Sequence, residues 1–181
     1  LIANTLPDTG AFRISGHLTG DFGKLALADA KVALDWGGVA LSASGAVGEL
    51  EALADIDLTT TAAGTSLEQV GRLLNQRWPS TGPFELSGRL RGGKEALAVR
   101  DAKARVSHAG LTLTATGAVD NAVALSGVDV SFDVAGNDLA EIGPILKQTL
   151  PKTGPFQVRG RLKGSRERLS LVDTRGTLSH D

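Results

Sequence analysis

The sequence predicts a mainly β protein: a repeat array of antiparallel four-strand meanders, with one short helix per 72-residue repeat, curled into an elongated groove. Three observations carry this. The phrase Thr81-Gly82-Pro83-Phe84-Glu85-Leu86-Ser87-Gly88-Arg89-Leu90 has related copies starting at Thr9 and at Thr153, 72 residues to either side. Within each copy apolar and polar residues alternate with a period of two, the mark of a strand with one apolar face. Turn-forming pairs such as Gly92-Gly93 and Gly164-Ser165 separate the alternating runs.

The copies divide the chain into residues 6–77, 78–149 and 150–181, the first two identical at more than a third of their positions. The third stops early and residue 1 is not Met, so the whole of 1–181 is read as a fragment of one repetitive domain.

Each copy opens on Leu6-Pro7, Trp78-Pro79 or Leu150-Pro151, where proline holds the preceding residue out of helical conformation. In the first strand Phe12, Ile14, Gly16 and Leu18 alternate with Arg13, Ser15, His17 and Thr19. The second strand begins with Leu25 and Leu27, then shifts phase to Ala30, Val32 and Leu34. One extra residue near Asp29, and near its equivalents Asp101 and Asp173, predicts a β-bulge. The third strand runs Val39, Leu41, Ala43, Gly45, Val47, or Leu111, Leu113, Ala115, Gly117, Val119. The fourth is clearest as Val128, Val130, Phe132 and Val134 against Asp129, Ser131 and Asp133. Ser66 with Gln69, and Asp138 with Glu141, are spaced as capping boxes, so short helices are expected over 66–76 and 138–148. Their apolar stripes are Leu67, Val70 and Leu74, and Leu139, Ile142 and Leu146, with Pro144 expected to kink the second.

Four strands of about eight residues present a face of about 500 Å², whereas a ten-residue helix covers on the order of 150 Å². Most of the apolar face is then left for a ligand, a partner or closure of the sheet. Glycines on that face, at 16, 45, 88, 117 and 160, let the sheet bend into a trough. Its inward residues would be Phe12, Ile14, Leu18, Val39, Leu41, Val47, Phe84, Leu86, Leu90, Leu111, Leu113, Val119, Val130, Phe132, Phe156, Val158 and Leu162. A dry Leu, Val and Ala interior suits acyl chains, which need continuous apolar contact and no specific hydrogen bonds.

Composition narrows the function further. With 19 basic and 20 acidic residues there is no general pull toward nucleic acid. The absence of cysteine excludes thiolate metal sites, disulfides and thiol catalysis. His17, His108 and His180 are too dispersed to form a metal cluster and read as surface residues; no metal and no cofactor is expected. No run approaches the roughly 18 apolar residues of a membrane-spanning helix. Neither a nucleophile elbow nor a phosphate loop is present, Asp21-Phe22-Gly23 is a turn without other kinase elements, and no enzyme is expected. The basic residues Arg159, Arg161, Lys163, Arg166 and Arg168 read as a solvated outer face.

The phrase Leu150-Pro151-Lys152-Thr153-Gly154-Pro155-Phe156-Gln157-Val158-Arg159-Gly160-Arg161-Leu162, preceded by the helix ending near Gln148 and followed by Leu169-Ser170-Leu171-Val172-Asp173, resembles the AsmA-like family of bacterial envelope proteins, of the AsmA, TamB and YhdP type. The resemblance covers essentially the whole chain. It implies a periplasmic protein anchored in the inner membrane by a segment outside this sequence, with a curled β-groove that conducts phospholipid between the inner and outer membranes. The alternative is a non-catalytic periplasmic scaffold or chaperone for outer-membrane protein assembly, in which the trough receives a client strand.

Overall fold

The computed structural model of the chain describes residues 10–21, 23–73, 77, 78, 80–143 and 148–178. The expectations for Leu6-Pro7, Leu74, Pro79, Pro144, Leu146, His180 and Phe22 lie outside them.

The chain is mainly β. Among the described residues ten antiparallel strands form one open sheet in sequence order: β1 (Phe12–Asp21), β2 (Lys24–Trp36), β3 (Val39–Glu49), β4 (Ala54–Gly64), β5 (Phe84–Gly92), β6 (Leu97–His108), β7 (Leu111–Asn121), β8 (Ser126–Gly136), β9 (Phe156–Ser165) and β10 (Arg168–Leu178). Each strand pairs with its neighbours in the chain, through short turns except between β4 and β5 and between β8 and β9, where the helical segments lie, and β1 and β10 are the edges among the described residues. A short α-helix, α1 (Leu67–Leu73), lies between β4 and β5. Among the described residues no helix is long and apolar enough to cross a membrane.

Residues directly opposed across a ladder share a face. One row therefore runs Phe12, Leu34, Leu41, Ala62, Leu86, Ala104, Ala115, Phe132, Gly160 from β1 to β9. On the other face Ala33, Ser42, Thr61, Ser87, Lys103, Thr116, Ser131 and Arg161 form the corresponding row. The register slips between Leu27 and Ala30, Val99 and Ala102, and Val172 and Arg175. In each bulge the aspartate, Asp29, Asp101 or Asp173, has a positive φ of 50° to 53°. Aspartate tolerates this left-handed conformation better than most side chains, and the extra residue returns the apolar side chains beyond it to the same face of the sheet. At Gly45 (φ +145°) the backbone passes so close to the Asp57 carbonyl that a Cβ would collide with it.

The tightest packing sits where strand ends meet the helical connections. Val39 and Phe84 are 1 % exposed, and Phe156 and Leu111 are also buried. A Cβ on Gly64 would lie 2.7 Å from the Phe84 ring, and one on Gly136 would lie 2.6 Å from the Phe156 ring. Each Phe thus covers the glycine paired with it in the preceding strand.

At α1 the Ser66 Oγ accepts from Glu68 N–H at 3.2 Å, and Gln69 Oε1 accepts from Ser66 N–H at 3.3 Å. This is reciprocal capping, with the serine bond one residue earlier than in the standard box. Of the helix expected over 138–148, residues 144–147 lie outside the described residues; at its start the chain forms a 3₁₀ turn, Leu139–Ile142. Pro144 stands where the first copy has Arg72 and has no N–H to offer the Ala140 carbonyl. That carbonyl instead accepts from Gly143, three residues on, which tightens the turn. Glu141 does not close a capping box either; Asp138 caps the turn through Ala140 N–H and also accepts from Thr153 N–H.

Candidate functional site

The register places all seventeen candidate residues on one face of the sheet. Their surroundings differ along it. On edge strand β1, Phe12, Ile14 and Leu18 are exposed; Val39, Val47, Phe84, Leu111 and Phe156 are buried. The others lie between these extremes, Leu113 being 36 % exposed.

A cavity of about 650 Å³ rests on this face and is bordered by every strand from β2 to β8. Of the seventeen, Leu41, Leu86, Leu90 and Val130 line it. Most of the remaining inward lining is small: Ala43, Ala62, Ala102, Ala104, Ala115, Gly88 and Gly117, with Val32, Leu34 and Val99. A search for large apolar residues misses these because such residues fill space, whereas a cavity survives where side chains are short. Their signal in the sequence is their phase, which matches that of the larger residues. Thr60 is the polar side chain on the inner face of this lining; its Oγ1 donates to the Gly88 carbonyl at 3.1 Å. Its donor is therefore satisfied within the sheet, and hydrophobic contact is what the lining offers a ligand.

The opposite face carries charge in cross-strand pairs. Arg89 Nε and Nη2 donate to the two Asp57 carboxylate oxygens at 2.5 and 2.7 Å, and Arg91 approaches the same carboxylate at 3.3 Å. The arrangement recurs 72 residues on, where Arg161 bonds Asp129 at the same two distances and Lys163 lies 3.6 Å away. Hydrogen bonding from Arg89, helped by Arg91, holds the Asp57 carboxyl below the usual carboxylate range, and Arg161 does the same for Asp129. Asp133 is also lowered, first by Gln157 and then by Arg159. The basic residues Arg159, Arg161 and Lys163 thus face aspartates of β8, as a solvent-exposed ladder.

Sequence reasoning overlooked the threonine of the recurring phrase. Thr81 Oγ1 accepts from Leu67 N–H at 2.9 Å while Thr81 N–H donates to Ser66 Oγ at 3.1 Å. Thr153 repeats this with Leu139 and Asp138, at 3.1 Å for both bonds. The phrase therefore ties the start of each helical segment to the strand that follows. Among the described residues no cluster of His, Asp or Glu is arranged to hold a metal ion. His17 is exposed beside Asp29 at 3.6 Å. Compared with models of protein families, with curated proteins and with solved structures, the chain matches none of them.

Proposed function

We propose that this chain is a segment of a lipid-conducting groove, in which phospholipid acyl chains pass along the apolar face between the inner and outer membranes of a bacterial envelope. The observation that carries the reading is the cavity shared by seven consecutive strands. At about 4.8 Å per strand, β2 and β8 lie about 29 Å apart along the sheet. Spread over that length, 650 Å³ corresponds to a bore of about 20 Å² in section, long and narrow like an extended acyl chain. This supports a sheet curled into an elongated groove built from repeating meanders. The aliphatic lining and the internally satisfied Thr60 favour hydrocarbon over a polar ligand. The resemblance to the AsmA-like family supports a periplasmic setting with an inner-membrane anchor outside this sequence. In this reading the protein is not an enzyme and needs no cofactor.

Photo-crosslinkers at Leu86 and Glu85 test it, because the two are adjacent on β5 and face opposite ways, and only Leu86 borders the cavity. Phospholipid captured at 86 and not at 85 is the expected result; equal capture at both would overturn the groove. Leu86→Asp should abolish transport in the full-length protein while the sheet still folds, since a carboxylate facing hydrocarbon costs several kcal/mol to desolvate. Glu85→Lys, on the opposite face, should be tolerated.

A second reading takes the same apolar face as a trough that receives a strand of an outer-membrane protein. Crosslinking of an unfolded porin at Ile14, with no lipid at Leu86, would put this scaffold function first.

A further inference from the structure

We infer that the free side of β1 receives an added antiparallel strand of the β8 kind, the fourth strand of a further unit of this repeat, recognised by a glycine opposite Phe12 and by carboxylates beside Arg13 and His17. This holds whatever the apolar face carries. Among the described residues β1 pairs on one side only, with β2, whereas its equivalents β5 and β9 each lie between two strands. A strand bonds through its backbone on both sides, so β1 offers a row of N–H and C=O groups to another strand.

The two internal copies of this interface supply the register. β4 pairs with β5 from Gly64 opposite Phe84 to Asp57 opposite Arg91, and β8 pairs with β9 from Gly136 opposite Phe156 to Asp129 opposite Lys163. In the same register an incoming strand sets glycine opposite Phe12 and aspartate opposite Thr19. Sterics demand the glycine. A Cβ on Gly64 would lie 2.7 Å from the Phe84 ring and one on Gly136 2.6 Å from the Phe156 ring, so each ring rests on the bare backbone of its partner. Phe12, 66 % exposed, holds the equivalent place on β1.

Charge separates the two kinds of fourth strand. Arg89 and Arg161 hold Asp57 and Asp129, and His17 occupies their place on β1, so either kind brings a carboxylate to His17. Farther along, β8 carries Asp133, which accepts from Gln157 Nε2 at 3.0 and 2.9 Å. In these two places β4 has Thr61 and β5 has Glu85, and β1 has Arg13 where β9 has Gln157. Arg159, the other partner of Asp133, is replaced on β1 by Ser15, which leaves the exposed Arg13 as the cation for that carboxylate. A guanidinium matches the aspartate of the β8 kind, as the glutamate of β5 matches a threonine. The apolar faces agree as well, since the Phe132 ring lies on Gly160 and Gly16 holds that place on β1.

A fluorescein-labelled synthetic peptide of residues 124–138, titrated with the whole chain and followed by fluorescence anisotropy, tests this. Saturable binding is expected, and a peptide of residues 52–66 should bind at least about threefold more weakly. Gly136→Val in the peptide should weaken binding at least about tenfold, because its side chain meets the Phe12 ring although valine favours extended backbone. In the protein, Phe12→Ala should weaken binding at least about tenfold, while Leu171→Ala on β10 should leave it unchanged, which places the strand on β1. Arg13→Glu should reverse the preference between the two peptides. No saturable binding, or an unchanged affinity with Phe12→Ala or Gly136→Val, would overturn the inference. Equal binding of the two peptides, or no reversal with Arg13→Glu, would overturn the assignment to the β8 kind. Lipid capture at Leu86 is a separate measurement, so the groove and this strand site can fail independently.

Discussion

Phe12, Phe84 and Phe156 begin β1, β5 and β9 and hold the same place in the recurring phrase, yet they are 66 %, 1 % and 4 % exposed. The difference lies in what precedes each strand. Phe84 pairs with Gly64 of β4, beside the Gln69 side chain of α1, and Phe156 pairs with Gly136 beside Leu111. Phe12 pairs only with β2, through Leu34, and has no preceding strand among the described residues. Burial of this phenylalanine is therefore supplied by the previous unit, as expected for an array whose stability comes from contacts between neighbours.

The largest expected effect follows directly. Phe84→Ala should cost about 3–5 kcal/mol by loss of a fully buried ring and the cavity left behind, while Phe12→Ala should cost under about 1 kcal/mol. Urea unfolding of the two variants measures both, and equal costs would break the comparison. Next, Gly64→Ala should destabilise by about 1–3 kcal/mol because its methyl group meets the Phe84 ring. Gly176→Ala, in edge strand β10, should be tolerated, since the nearest atoms are 3.9 Å away.

A smaller loss, about 1 kcal/mol, is expected for Thr81→Val, which removes the acceptor of the Leu67 N–H at the start of α1. The smallest effect belongs to the exposed Asp57–Arg89 pair. Its folded carboxyl titrates below the unfolded value, so its contribution is present above the unfolded carboxylate pKa and is lost as the pH falls through the folded one. Asp57→Asn should remove that acid-side dependence from a series of melting curves, and added salt should shrink it.

How much of this was legible beforehand depended on the kind of signal. The period of two on β5 and β9 put Phe84, Leu86, Phe156 and Val158 on one face, because a strand alternates its side chains whatever surrounds it. The phase shift at Asp29 and Asp101 announced the bulges for the same local reason. The second helical segment was legible only in part: the Asp138 cap was visible, but the hydrogen bond from Gly143 that takes the Ala140 carbonyl was not.

Local pattern thus determined the strands, their inward and outward residues, the bulges and the order of the ten strands as a meander, since each of these depends on residues close in the chain. The cavity was decided only by the tertiary structure. It depends on which short side chains of seven strands come to lie side by side, and on Thr60 meeting Gly88 across a ladder, 28 residues apart in the chain. Register between strands converts an identical phase into either open space or a packed ring, and no single strand contains that information.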